Sequence, residues 1–64
     1  MTFGKRLRKI RRDRDISQLE LAIEIGTSAT IISTYENDKV EPTVHRIKEI
    51  CEALGVTATE LLGF

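Results

Sequence analysis

The amino-acid sequence predicts an all-α fold built from five short helices. Apolar residues recur at spacings of three and four, which is the pattern of helices that bury one face. Two segments open with a capping box, Ser17 with Glu20 and Thr57 with Glu60, in which a hydroxyl and a carboxylate satisfy amides that lack partners at a helix start. Gly26 ends the helix that Ser17 starts, because glycine adopts a left-handed backbone without a steric penalty.

The first helix is expected from Phe3 to Asp13, with Thr2 as its cap. Its apolar face carries Leu7 and Ile10, which lie three residues apart. The side that we expect to face solvent is basic and consists of Lys5, Arg8, Lys9 and Arg12.

Residues 18–37 are typical of two helices joined by a tight turn. The first helix follows Ser17, and the second is capped by Ser28 in preference to Thr27. With about three residues between them the helices cannot lie antiparallel, so they cross steeply, and the small Ala22 lets them approach. The residues expected to face the core are Leu21, Ala22 and Ile25 in the first helix and Ile32 and Tyr35 in the second.

Two further helices complete the predicted fold. One runs from Val44 to Leu54 after a Thr43 cap, and a short one follows Thr57 and ends near Gly63. The predicted buried stripe of the fourth helix consists of Val44, Ile47, Ile50, Cys51 and Leu54. The whole predicted core consists of Leu7, Ile10, Ile16, Leu21, Ala22, Ile25, Ile32, Tyr35, Ile47, Ile50, Cys51, Leu54 and Leu61.

Composition limits the classes of function. A chain of 64 residues allows one domain, residues 1–64, with a small core. No apolar run is long enough to span a membrane, and none follows Met1 as in a secretory signal. A single cysteine, Cys51, cannot form an internal disulfide, which fits a reducing cytoplasm. His45 lies on the opposite face from Cys51, and the chain has no metal-ligand cluster or phosphate loop, so we expect no enzymatic activity, metal or cofactor.

The charges are divided unevenly along a chain whose net charge is zero. Residues 1–14 carry seven basic residues and one acid, net +6, whereas residues 15–64 carry three basic residues and nine acids, net −6. Such asymmetry indicates a side of the protein that faces a polyanion. A merely solvated helix face is the plainer interpretation of the same block.

The central segment resembles the helix-turn-helix of the lambdoid repressor and Cro family. A plain helical hairpin would account for that segment alone, but the similarity continues on both sides and covers essentially the whole chain. The residues that carry it are Arg11, Gln18, Leu21, Ala22, Gly26, Ile32, Glu36, Asn37, Leu54, Gly55 and Val56.

The resemblance implies a repressor-like transcription regulator that binds double-stranded DNA as a dimer and reads the major groove with residues 29–36. The residues expected to contact bases are Ser28, Ala29, Thr30, Ser33 and Thr34. None is an arginine, asparagine or glutamine, the residues that make bidentate contacts with purines, so we expect modest discrimination at each base. The residues expected to contact phosphates are Arg11, Arg12, Arg14, Gln18, Asn37 and Lys39.

The resemblance also assigns structural roles. Arg11 and Glu36 lie at the borders of the apolar faces of their helices, and the family pairs the matching residues, so we expect an ion pair between helices 1 and 3. Two unrelated surface charges are the alternative. Leu61, Leu62 and Phe64 cannot all be covered by so short a helix and are candidates for a homodimer interface. Alternatively, Leu61 and Phe64 complete the core.

A second class of function is a protein-interaction module of the same fold, such as an antitoxin-like or adaptor domain. Leu19 and Ile23 lie away from the buried face of their helix and form either a contact patch or scattered apolar residues. Asp38 and Glu41 make the following loop acidic, where the family commonly has glycine and more positive charge, and acids repel a phosphate backbone. Zero net charge also favours this class.

Overall fold

The fold consists of five α-helices and contains no β-strand, which confirms the all-α prediction. The computed structural model describes residues 1–64. None of the helices has the length and apolar character needed to cross a lipid bilayer. In chain order the helices are α1 (Phe3–Asp13), α2 (Gln18–Ile25), α3 (Ala29–Glu36), α4 (Val44–Leu54) and α5 (Ala58–Leu62).

Each helix begins after a serine or threonine whose hydroxyl accepts a backbone N–H of the first turn. The two predicted capping boxes are present, because Glu20 and Glu60 accept the backbone N–H of Ser17 and Thr57 in return. Gly26 ends α2 in a left-handed conformation with a φ of 75°. The five capping residues are Thr2, Ser17, Ser28, Thr43 and Thr57.

The helices enclose one core. α1 packs against α3 and α5, α2 packs against α3 and α4, and α4 packs against α5. Ile10, Ile16 and Ile47 were predicted in the core but are only partly buried at its edge, since so small a domain encloses few positions on all sides. The buried core consists of Leu7, Leu21, Ala22, Ile25, Ile32, Tyr35, Ile50, Cys51, Leu54 and Leu61.

Val44 departs from the predicted stripe of α4. Its helical spacing relative to Ile47 and Cys51 predicted burial, but its side chain is 85% exposed. Val44 is the first residue of α4, and instead of being covered it lines an open groove between α4 and α5 together with Leu62. The prediction for Val44 was therefore wrong, because helical period says nothing about how far a neighbouring element extends.

At Gly4 the backbone of α1 lies close to the backbone of α3. Gly4 is buried, and a Cβ atom placed there would overlap the backbone carbonyl oxygens of Tyr35 and Glu36. A glycine within a helix costs about 1 kcal/mol relative to alanine, so its presence in α1 is explained by this backbone contact. A glycine inside a predicted helix indicates a special packing role, but the sequence does not show which segment packs against it.

Asp38 completes this contact from the end of α3. Its backbone is left-handed, with a φ of 57°, a conformation that aspartate tolerates better than most residues. Its Oδ1 accepts the backbone N–H of Gly4 at 2.9 Å. Hydrogen bonds from Thr2 and Gly4 hold the pKa of the Asp38 carboxyl below its ordinary value. The carboxylate therefore lies at the amino end of α1, where the helix dipole favours an anion.

We expect Gly4→Ala to destabilise the fold by about 2 kcal/mol, because the added methyl group pushes α1 away from α3. A loss of this size should lower the melting temperature by roughly 10 °C in so small a domain. Thermal unfolding followed by circular dichroism would measure the change, with Lys5→Ala at the next, exposed position as the control. A Gly4→Ala melting temperature at or above that of the wild type would contradict the close approach, since alanine is the better helix former.

Candidate nucleic-acid interface

The turn between α2 and α3 fixes which face of α3 points outward. After Gly26, the backbone N–H of Thr27 donates to the carbonyl of Ala22 at 2.8 Å, which closes the end of α2. Ser28 then caps α3, and Ile32 is fully buried in the core. Because Ile32 turns one side of α3 into the core, the opposite side is left open to solvent.

The outward side of α3 carries the residues for which base contacts were predicted. Thr30 and the capping Ser28 are exposed, while Ala29, Ser33 and Thr34 are half-buried. These residues are small, so they allow a close approach to a flat partner. None of the five belongs to the buried core, and their contacts with bases stay a prediction.

The buried carboxylate of Glu36 receives hydrogen bonds from three side chains. Arg11 donates from Nε to Oε2 at 2.6 Å and from Nη2 to Oε1 at 3.1 Å. Gln18 Nε2 donates to Oε1 at 3.0 Å, and Arg8 Nε donates to the same oxygen at 3.2 Å. The side chain of Glu36 is fully buried, so these four bonds replace its lost hydration. We refer to Glu36 with Arg8, Arg11 and Gln18 as the Glu36 cluster.

The Glu36 cluster shifts the acid–base equilibrium of its carboxylate. Burial by itself raises the pKa of Glu36, but hydrogen bonds from Arg11, Gln18 and Arg8 and the charge of Arg11 outweigh it. The pKa of Glu36 is therefore lower than its ordinary value, and the group is ionised at neutral pH. The charged form holds α1, α2 and α3 together.

Arg11 lies deeper in the domain than its sequence position predicted. It forms the ion pair with Glu36 that its border position led us to expect, but the pair is buried, with 8% of the Arg11 side chain exposed. Its Nη1 also donates to the backbone carbonyl of Ile16 at 2.8 Å. The predicted phosphate contact of Arg11 is therefore wrong, because its guanidinium is buried and bonded to Glu36 and to the Ile16 carbonyl.

The other predicted phosphate contacts differ in how free their donors are. Arg12, Arg14 and Lys39 are exposed. Gln18 is half-buried, and its amide already donates to Glu36. Asn37 is exposed, but its amide donates to the Ser33 carbonyl at 2.9 Å, and its Oδ1 accepts from Arg8 Nη2 at 3.2 Å. Asn37 is thus held in one orientation, while the three cations are free to move.

The three C-terminal candidates for a dimer interface differ in how exposed they are. Leu61 is fully buried in the core, so its assignment to an interface was wrong, and the alternative that it completes the core is correct. Leu62 is half-buried, and Phe64 is 87% exposed and does not join the core. Leu62 lines grooves shared with Val44 on one side and with Phe64 on the other. We call these residues, Val44, Leu62 and Phe64, the α4–α5 apolar surface.

Sequence reasoning missed Arg8 in the Glu36 cluster and assigned it to solvent. The signal was present, because Arg8 lies three residues before Arg11 and residues at this spacing share a helix face. The side chain of Arg8 is 36% exposed, so it is neither buried nor free.

We expect Glu36→Gln to lower the free energy of unfolding at neutral pH by about 3 kcal/mol, since it leaves a buried guanidinium without its counter-charge. Because the pKa of Glu36 is lowered by folding, this stabilisation is fully present above the ordinary glutamate pKa and is lost as pH falls through the folded pKa. The gap between wild type and variant should therefore narrow toward acid pH in denaturant unfolding measured at several pH values.

The matched control is Glu24→Gln, which removes an exposed carboxylate from α2. Its unfolding free energy should differ little from that of the wild type at neutral pH. The role assigned to Glu36 would be refuted by two variants of equal stability, or by a Glu36→Gln deficit that did not depend on pH.

Comparisons with known proteins identify this arrangement. A family profile described as a helix-turn-helix domain matches residues 4–63. The chain is 29% identical over 63 residues to an immunity repressor protein of Bacillus phage phi105, which corresponds to 98% of this chain and 44% of the relative. It is 35% identical over 62 residues to the control protein C.MunI of Mycoplasma sp, covering 95% of this chain and 84% of that protein. The chain thus spans less than half the length of the phage repressor.

A solved structure shares the fold. The P22 c2 repressor protein, in complex with synthetic operator 9T in the presence of Tl+, superposes with a TM-score of 0.90 at 29% sequence identity. The alignment covers 97% of this chain and 94% of that one. Because the family profile covers nearly the whole sequence and the five helices superpose on a repressor, the chain belongs to the helix-turn-helix family, of the phage-repressor type that its sequence resembles.

Proposed function

We propose that the protein is a sequence-specific transcription regulator, repressor-like in action, that inserts α3 into the major groove of double-stranded DNA. The observation that carries this proposal is the open, polar side of α3 beside a turn that holds it outward. The similarity to a repressor solved with its operator supports the same function. The role is one of binding and requires no catalytic step, metal or cofactor. A cytoplasmic location suits the unpaired thiol of Cys51.

The hydroxyl groups of Thr34 and Ser33 differ in whether they can donate or accept a hydrogen bond at a base edge. Thr34 Oγ1 donates to the carbonyl of Ile31 at 2.6 Å, so towards DNA it only accepts, from adenine N6 or cytosine N4, while its methyl group packs on a thymine methyl. Ser33 Oγ accepts from Asn37 at 3.3 Å and keeps its proton for a guanine or thymine oxygen. The proposed base-contact residues are Ser28, Ala29, Thr30, Ser33 and Thr34.

The phosphate backbone is assigned to donors near the ends of the helix-turn-helix. Arg12 and Arg14 at the end of α1 supply charge, and Lys39 supplies charge after α3. Gln18 and Asn37 are neutral and ordered, so they fix the register of the protein on the duplex without reading sequence. Arg11 is excluded from this set because its guanidinium is buried.

We infer that the regulator works as a homodimer. One α3 covers only a few base pairs, whereas two copies with half-sites about one helical turn apart, roughly 34 Å, double the readout. The α4–α5 apolar surface is the proposed interface, because Phe64 and Val44 are among the most exposed apolar side chains of the domain.

Leu19 and Ile23 favour a second candidate function. They are 59% and 70% exposed and lie four residues apart on α2, away from the core. Under this alternative the domain is a protein-interaction module, antitoxin-like or adaptor, that binds its partner through this apolar pair. The acidic loop supports this alternative less than the sequence suggested, because the Asp38 carboxylate accepts the backbone N–H of Gly4. DNA binding weakens steeply with salt, whereas an apolar protein contact does not, and this separates the two candidates.

Phosphate and base contacts should respond differently to mutation. We expect Arg12→Ala to weaken operator and random-sequence binding alike and to make the slope of log K against log salt shallower by about 0.9. Thr34→Ala should alter the preferred sequence and leave non-specific affinity and salt slope nearly intact. Selection of bound sequences from a random DNA pool would supply the operator, and both variants would be titrated on operator and random duplexes at several salt concentrations.

The division of labour between α1 and α3 would be disproved by identical behaviour of the two variants. If binding by the wild type ignored both salt and sequence, the proposed function itself would fail and the interaction-module candidate would be preferred.

Removal of an exposed side chain from the α4–α5 apolar surface should weaken dimerisation without changing the stability of the monomer. We expect Phe64→Ser to raise the dimer dissociation constant by at least tenfold, because aromatic anchors dominate interfaces, while the melting temperature of the monomer changes little since Phe64 is outside the core. Sedimentation over a range of protein concentrations would measure the dissociation constant, with Met1→Ser, at another exposed apolar residue, as the control. A wild type that stays monomeric at high concentration and protects a single half-site would rule out the homodimer.

A further inference from the structure

Arg8 is the member of the Glu36 cluster that reaches the surface. Its Nε donates to Glu36 Oε1 at 3.2 Å, and its Nη2 donates to Asn37 Oδ1 at 3.2 Å. The side chain is 36% exposed, compared with 8% for Arg11. The guanidinium is therefore tied at two points to the end of α3 while part of it faces solvent.

The hydrogen-bond inventory of Arg8 is incomplete. A guanidinium carries five N–H groups in a fixed planar fork, and two of those of Arg8 have partners within the protein. Three N–H groups remain for an external acceptor. Because Glu36 and Asn37 already fix the plane of the fork, an acceptor that binds there does not have to order a mobile side chain.

The surroundings of Arg8 favour an anionic acceptor. Glu36 carries one negative charge and is bonded by both Arg11 and Arg8, so the three groups together keep a net charge of +1. Arg8 also lies in a shallow surface depression whose other lining residues are Lys5, Lys9, Arg12 and Asp13. The one acid among them, Asp13, is paired with Lys9 at 3.0 Å. The depression is therefore strongly positive.

We propose that Arg8 binds a phosphate of the DNA backbone and that Glu36 and Asn37 are positioning residues that aim its guanidinium. The inference rests on the proposed function and adds a contact residue to it. Gln18 donates to the same oxygen of Glu36 at 3.0 Å, so one carboxylate orients a charged donor from α1 and a neutral donor from the start of α2. Arg8 thus takes the phosphate role that the sequence had suggested for Arg11.

The test compares Arg8→Gln with Lys9→Gln, which removes the same charge from the next residue of α1. We expect Arg8→Gln to weaken binding to operator and random duplexes roughly tenfold, as for a lost charged hydrogen bond, and to reduce the salt slope by about 0.9. Lys9→Gln should change affinity and slope clearly less, because Lys9 is already paired with Asp13. The salt slope is the deciding readout, since a purely structural role for Arg8 would lower the melting temperature without changing it.

Arg8→Lys tests the positioning. Lysine keeps the charge but lacks the fork that bonds Glu36 and Asn37 together, so we expect it to restore the salt slope and only part of the affinity. Equal effects of Arg8→Gln and Lys9→Gln, with salt-dependent wild-type binding, would overturn the inference and leave the proposed function standing. Wild-type affinity in Arg8→Lys would overturn the positioning role. Salt-independent binding by the wild type would instead reject the proposed function.

Discussion

The buried charge of Glu36 is the constraint on which the rest of the structure depends. An ionised carboxylate with no exposed side-chain surface is costly unless donors replace its water, and four N–H groups from Arg8, Arg11 and Gln18 do so. Those donors come from α1 and α2, whereas the carboxylate belongs to α3. Satisfying one charge therefore fixes three helices relative to one another, in a domain whose small size limits what apolar burial contributes.

This constraint also sorts the basic residues of α1. Arg11 is buried, and its charge is paired with Glu36. Arg8 is partly exposed and has N–H groups without a partner in the protein. Arg12 is exposed. The excess of positive charge in residues 1–14 is thus only partly available to a polyanion. Of the charge that remains, that of Arg8 lies next to the end of α3, where its guanidinium bonds Asn37 and where the proposed DNA contacts need it.

The contact between α1 and α3 explains two residues that local rules disfavour. Gly4 weakens α1 as an isolated helix, but only a residue without a side chain lets the backbone of α1 reach the carbonyl groups at the end of α3. Asp38 adopts a left-handed backbone, and its carboxylate accepts the Gly4 N–H. An acid that looked unfavourable beside DNA is therefore part of the packing of α1 on α3.

The sequence by itself determined the helix bounds and most of the core. Caps such as Ser17 and glycines such as Gly26 act within one turn, and helical period reports which face is apolar, so both are readable without a structure. Only the tertiary structure decided that Arg11 is buried, that Leu61 lies in the core and not at an interface, and that Val44 is exposed. Burial depends on which neighbouring helix covers a position and how far it extends, and residues distant in sequence set that, as Glu36 does for Arg11.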